Sequence, residues 1–248
     1  GGGGGGGGGK DTAQHIYGTA GDDYISLGAH TSTVTGNGGN DTFVVLSGDI
    51  KIMDLNTGDI LVIQSSSKIS TEPISSFVAT AATSNAGTAE LSAGSSGATI
   101  DMSLSSSGKY TLAGGAGVDN LKGSTENDTF KIVNAGEGDN DTFAGLAGTD
   151  ILQLSSGSHV FASDAKLSDI ETVLANASGS TVNLSGQTED FTITGGAGID
   201  TITGGAGDDI ITGGAGADTF NVNAGTDTIT DLSATDILVI SSGAIANA

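Results

Sequence analysis

Residues 195–221 write one nine-residue unit three times, GGAGIDTIT, GGAGDDIIT and GGAGADTFN, and so set Asp200, Asp209 and Asp218 at the same sixth position. A row of carboxylates at a fixed short period, with no basic partner, repels itself unless something neutralises it. Cation binding is the chemistry that fits. Several hard oxygens per site, partly from backbone carbonyls, suit the flexible six- to eight-fold shell of Ca²⁺, whereas Mg²⁺ demands a stricter octahedron and soft metals want Cys or His.

The elements that would hold such a row follow from the rest of the unit. Gly at positions 1, 2 and 4 predicts that each GGxGxD is a tight turn rather than a strand. The trailing triplets Thr201-Ile202-Thr203, Ile210-Ile211-Thr212 and Thr219-Phe220-Asn221 are too short for a helix and rich in β-formers, so each reads as a short strand with its middle side chain inward. A turn plus a strand makes half a coil and two copies make a full one. Stacked coils then align the carboxylates and turn carbonyls in columns along both edges. The fold class is therefore all-β: a parallel β-roll or β-helix solenoid of nonapeptide repeats with Ser/Thr-rich β spacers.

Counting in nines extends the frame. From Gly18 it runs GTAGDDYIS, LGAHTSTVT, GNGGNDTFV, VLSGDIKIM and DLNTGDILV, with Ile25, Val34, Phe43, Ile52 and Leu61 at the apolar eighth position. Position 6 is Asp23, Asp41 and Asp59 in alternate copies, but Ser32 and Ile50 between them, which predicts metal along one side only in this block. A second block supplies Asp119, Asp128, Asp141 and Asp150 with Leu121 and Phe130 inward, and four extra residues around 132–135 must bulge out or re-phase the coil. After the three clean copies, VNAGTDTIT and DLSATDILV add Asp227 and Asp236, with Ile229 and Leu238 inward. The strings GDILVI, TDILQL and TDILVI close the three blocks, so the chain reads as modules of calcium block plus spacer, cut at a module edge as part of a longer protein. The divisions are a Gly-rich leader (1–17), block 1 (18–63), a spacer (64–113), block 2 (114–154), a spacer (155–194) and block 3 (195–248).

The spacers carry weaker signals. Thr99-Ile100-Asp101-Met102-Ser103-Leu104 alternates with period two and reads as a strand with one buried face, as does Thr181-Val182-Asn183-Leu184-Ser185. The Ser/Ala-rich stretch before the first of these reads as loop or as a poorly specified coil, with disorder the alternative at 65–76. Thr194, Thr203 and Thr212 at position 9 form either an outward ladder or simply β-formers on a strand edge.

The repeat resembles the RTX (repeats-in-toxin) family, whose nonapeptide is a Ca²⁺-binding parallel β-helix signature. In that family each ion sits between the turns of adjacent coils. The resemblance implies several Ca²⁺ ions, held by the carboxylates of Asp23, Asp41, Asp59, Asp119, Asp128, Asp141, Asp150, Asp200, Asp209, Asp218, Asp227 and Asp236. It also implies turn carbonyls, with Gly21, Gly39, Gly196, Gly198, Gly205, Gly207, Gly214 and Gly216 as the turn residues concerned. Export through a type I system that reads an uncleaved C-terminal signal is the further implication.

Composition bounds the alternatives. The chain has 248 residues with 43 Gly, one Pro, no Cys and no Trp, and its 29 acidic against 7 basic residues give a formal charge of −22. With 4% aromatics a conventional globular core would be thin, which favours an elongated solenoid. Such acidity repels nucleic acid and anionic membranes and attracts divalent cations. No apolar run reaches membrane-spanning length, and no N-terminal signal peptide is visible. The run of glycines at 1–9 reads as linker or placeholder. His15, His30 and His159 are scattered without zinc-ligand spacing, no G-x-S-x-G occurs, and no Ser-His-Asp set can be nominated. The reading is a non-enzymatic, secreted calcium-binding protein of a Gram-negative cell surface: an S-layer, filament, matrix or adhesin subunit. Its candidate partners are calcium, further copies of itself in a filament or lattice, and a surface polysaccharide. The rival is a folding and secretion module at the C-terminal end of a larger secreted enzyme or toxin.

Overall fold

The computed structural model describes residues 14–28, 31–134, 136, 138–175 and 178–248. The glycine run at 1–9 and His30 lie outside them. Among the described residues every strand pairing is parallel, and regular helix is confined to two short 3₁₀ turns, Gly138–Asn140 and Asp164–Lys166. One face of the molecule is a 13-stranded sheet; the opposite face is built from sheets of 4, 5 and 5 strands. No helix among these residues is long and apolar enough to cross a membrane.

The nonapeptide explains the stacking. Ile193 pairs with Ile211 and Ile211 with Ile229 on the long sheet, while Ile202 pairs with Phe220 and Phe220 with Leu238 opposite. Successive copies therefore alternate faces, and two of them close one coil of 18 residues. The eighth-position side chains Ile25, Val34, Phe43, Ile52, Leu61, Leu121, Phe130, Phe143, Leu152, Ile202, Ile211, Phe220 and Ile229 are all buried in one continuous core, and Leu238 is half-buried against it. One apolar side chain per half-coil suffices because each is covered above and below by the same position of its neighbours.

The turns depart from the sequence reading in one respect. The strands Thr192–Ala197 and Ile210–Ala215 run on through their Gly-Gly-Ala segments, with Gly196 paired to Gly214 and Ala197 to Ala215. Identical turns stacked one coil apart keep their amides and carbonyls in ladder register, so alternate GGxGxD segments begin as strand. The copy between them, at 204–206, is a turn.

The spacers are coils of the same solenoid. Residues 65–76, left open by the sequence, contain the strand Ser67–Thr71, which pairs with Gly48–Ile52 and with Thr88–Ser92. Spacer coils are wider: Phe77 faces Ile100, Phe143 faces Leu167 and His159 faces Val182, all at separations greater than the block coil. Two of them, around Ser76–Val78 with Ser84–Asn85 and around Gly157–Val160 with Leu167–Ser168, contribute strands to three sheets each, and there the second face passes from one sheet to the next. The alternation at 99–104 is only half a strand: Thr99–Asp101 is extended and Met102 buried, but Asp101 Oδ1 accepts the Ser103 N–H at 2.9 Å, turning the chain and leaving Leu104 exposed. In block 2 the insertion leaves Ile132 buried at the end of its strand and Val133 exposed. Coil separation rises to 22 while Leu121 stays over Phe143 and Phe130 over Leu152.

Candidate metal centre

The sixth-position aspartates form the columns that the period demands. Where an aspartate stands one coil earlier, the carboxylate accepts its backbone N–H; at Asp119, Asp128, Asp200 and Asp209 the donor is instead the N–H of Ala98, Tyr110, Ser180 and Phe191. Asp41 Oδ1 takes the Asp23 amide at 3.0 Å and Asp59 Oδ1 the Asp41 amide at 2.8 Å. Asp141 and Asp150 do the same for Asp119 and Asp128 at 2.8 and 2.6 Å. In block 3, Asp218 and Asp236 serve Asp200 and Asp218, both at 2.9 Å, while Asp227 serves Asp209 on the other edge at 3.0 Å. In block 1 the column occupies one edge alone. Ten of the twelve aspartates are buried; Asp23 and Asp236 are partly exposed.

Except at Asp23, one oxygen of each carboxylate is thus committed to the ladder, and the other defines the site. The Oδ2 atoms of Asp150, Asp200, Asp209 and Asp227 are buried with no hydrogen-bond partner. At the degenerate turns the spare oxygen is served from within: Thr19 and Ser124, standing where glycine would, give both N–H and hydroxyl to Asp23 and Asp128. Asn56 and Ser233 give their amides to Asp59 and Asp236.

The first glycine of the turn shapes the space beside that oxygen. A Cβ on Gly195 would lie 2.8 Å from Asp200 Oδ2 and 2.6 Å from the Gly213 carbonyl oxygen of the next coil. The same pair of oxygens flanks Gly18, from Asp23 and Gly36, and Gly123, from Asp128 and Gly145. Each is a cradle between adjacent turns, open only because the residue has no side chain. Of the other turn glycines, Gly39, Gly196, Gly198, Gly205 and Gly214 adopt positive φ. A Cβ on Gly207 or Gly216 would run into the Glu189 or Gly198 carbonyl oxygen, and one on Gly39 into the Gly21 backbone.

Electrostatics point the same way. Burial pushes Asp209 up to about 7, helped by Asp227, Asp190 and Asp208, and Asp150 up to about 6. It also raises Asp41, Asp59, Asp128, Asp200 and Asp227. Amides of Asp218 and Ser233 hold Asp236 below the usual carboxylate range. Four of the seven lysines pair with other carboxylates, Lys51 with Glu72, Lys68 with Asp49, Lys122 with Asp101 and Lys131 with Glu90. Buried carboxylate oxygens without partners, beside carbonyls, make a donor set for a hard divalent cation. Among the described residues no three carboxylate or imidazole side chains converge on one point. A cation between two turns must therefore take backbone oxygens as well as carboxylates.

Several participants escape a reading by position 6 alone. Asp54 accepts the amides of Gly36 and Asn37 at 2.8 and 2.7 Å, and Asp231 those of Gly213 and Gly214 at 2.9 and 2.7 Å. Both occupy the first position of the last nonapeptide of their block, DLNTGDILV and DLSATDILV, where glycine is absent, and that substitution was the available signal. The fifth-position residues Asp22, Asp190 and Asp208 each accept an amide from the following coil, at 2.7 Å. At these three gaps ladder bonds thus run both ways.

One arrangement resembles catalytic machinery. His159 is fully buried, with Ser155 Oγ 3.4 Å from Nε2 and Asp139 Oδ1 4.0 Å from Nδ1. Its Nε2 is also 3.0 Å from the Ser155 carbonyl oxygen, which can only accept, so Nε2 carries the proton and is no base for the hydroxyl. His15 is held by the hydroxyls of Thr33 and Thr35 at 2.7 and 2.8 Å.

A family model, the RTX calcium-binding nonapeptide repeat in 4 copies, matches residues 5–43, 111–131, 135–158 and 194–229. No curated protein matches the chain.

Proposed function

The chain carries the RTX calcium-binding nonapeptide repeat, and from that premise we propose that it is a secreted structural protein of a bacterial cell surface, a filament, lattice, S-layer or adhesin subunit that calcium folds. The observation that carries the reading is the set of buried aspartate oxygens without partners, Asp150, Asp200, Asp209 and Asp227, the first three of them beside the side-chain-free Gly145, Gly195 and Gly204. Ca²⁺ bound between successive turns would supply the charge neutralisation that the ladder lacks. The residues holding it are the sixth-position aspartates of the three blocks, with turn carbonyls completing the shell.

The mechanism is folding by ligand. Where calcium is scarce, as in cytosol, charging the buried columns opposes the fold and keeps the chain open for export. Outside the cell, binding to the folded state alone converts calcium affinity into folding free energy. RTX repeat proteins typically leave the cell by type I secretion, which needs an unfolded passenger. The spacers continue the same sheets and give the solenoid broad Ser/Thr-bearing faces, suited to lateral contact with further copies or with a surface polysaccharide.

The test is a Ca²⁺ titration of the chain followed by far-UV circular dichroism and light scattering, with Mg²⁺ as control. Cooperative gain of β-signal followed by large assemblies supports the surface-structure reading. Gain of β-signal in a persistently monomeric chain favours a secretion module of a larger protein. No response to Ca²⁺ refutes the metal assignment.

A further inference from the structure

One turn outside the matched segments reproduces the oxygen geometry of the repeat without its sequence. We infer that residues 167–171 of the second spacer complete a further calcium site with Asp150, through the Asp169 carbonyl and the Glu171 carboxylate. The inference rests on the reading of the aspartate columns as calcium ligands and extends it to a segment, LSDIE, that has neither glycine nor a sixth-position aspartate.

Three independent features carry it. First, Glu171 Oε2 accepts the Asp150 N–H at 2.7 Å, the bond that Asp150 Oδ1 itself makes to the Asp128 N–H at 2.6 Å. Glu171 is therefore the next carboxylate of the column, and its extra methylene spans the different path of a spacer coil. Second, Asp169 holds φ +54, left-handed for a non-glycine residue, and its carbonyl oxygen comes over Gly145. A Cβ on Gly145 would run into both that oxygen and Asp150 Oδ2. This is the cradle seen beside Gly18, Gly123 and Gly195, with Asp169 supplying the oxygen that a first-position residue supplies elsewhere. Third, Asp150 is fully buried and its Oδ2 has no hydrogen-bond partner. Two carboxylates and a carbonyl, all hard oxygens, meet where nothing in the fold neutralises them.

The column then stops. Phe191 takes the next place, its N–H donating to Asp209 Oδ1 at 2.8 Å, but its buried ring offers no oxygen. The Asp150–Glu171 gap is thus the last cation position on this edge before the ladder restarts at Asp209.

The experiment counts ions. Calcium bound per chain is measured by equilibrium dialysis and native mass spectrometry for the unaltered chain, Glu171→Gln and Glu171→Asp. Gln keeps an oxygen for the Asp150 N–H, so the coil stays built, and far-UV circular dichroism at saturating Ca²⁺ checks this. The expected result is one Ca²⁺ fewer per chain for Glu171→Gln, while Glu171→Asp, one methylene short but still charged, keeps the ion more weakly. Unchanged stoichiometry and affinity in both variants overturns the site while leaving the repeat sites standing. An unaltered chain that binds no Ca²⁺ overturns the column reading itself.

Discussion

In calcium-free protein, Asp209→Asn is predicted to move the pH at which the fold is lost upward. Asp209 is buried, its Oδ2 has no partner, and burial with Asp227, Asp190 and Asp208 nearby lifts it from 3.8 to about 7. A folded-state value above the unfolded one means that the native chain keeps a proton the unfolded chain releases. Stability from this group is therefore complete below about pH 4 and is lost as pH rises through about 7. The shift, near 3 units, corresponds to about 4 kcal/mol at alkaline pH. The edge of the solenoid is within reach of water and counter-ions, and halving for that screening leaves roughly 2 kcal/mol, about a thirty-fold change in the folded-to-unfolded ratio. Asn cannot ionise, yet it retains an oxygen for the Phe191 N–H. The assay is β-signal against pH between 5.5 and 8.5 in metal-free buffer. In saturating Ca²⁺ at pH 8 the order should reverse, because the variant has lost a ligand charge. A variant that unfolds at the same or lower pH than the parent, or a metal-free parent whose β-signal grows with pH, would refute the reasoning.

Two substitutions probe the scaffold. Leu146 sits at φ +78 in the second turn position, where Gly196, Gly205 and Gly214 also have positive φ. Leu146→Gly removes a left-handed penalty of about 1–2 kcal/mol and adds about 0.5–1 kcal/mol of unfolded-chain entropy. Thermal unfolding in saturating Ca²⁺ should show a net gain of roughly 0.5–1 kcal/mol. Phe143 is fully buried, edge-on to Phe130 at 5.8 Å and to Phe161 at 6.3 Å. Phe143→Ala should cost about 3–5 kcal/mol. Because coils contact only their neighbours, limited proteolysis should then cut first within residues 114–154 while blocks 1 and 3 stay protected.

The sequence by itself determined the coil. A nine-residue period with one apolar residue, one carboxylate and several glycines fixes which side chains face inward, which share an edge, and how many copies close a turn of the solenoid. Ile202, Phe220 and their equivalents lie where the count places them, and the aspartates stack in columns even at Asp59, whose turn has lost most of its glycines. Such features are legible because they are local and repeated, so each copy confirms the others. Only the tertiary structure decided the spacers, where coil length varies and no period survives. Their wider coils hand the second face from sheet to sheet, and the turn at Asp169 brings Glu171 beneath the Asp150 amide. Likewise, that Oδ2 of Asp150 and Asp209 is bare while Asp23 and Asp128 are served by a neighbouring hydroxyl depends on contacts within a turn. Periodicity assigns a residue to a column; whether its charge is compensated there depends on which atoms the adjoining coil presents.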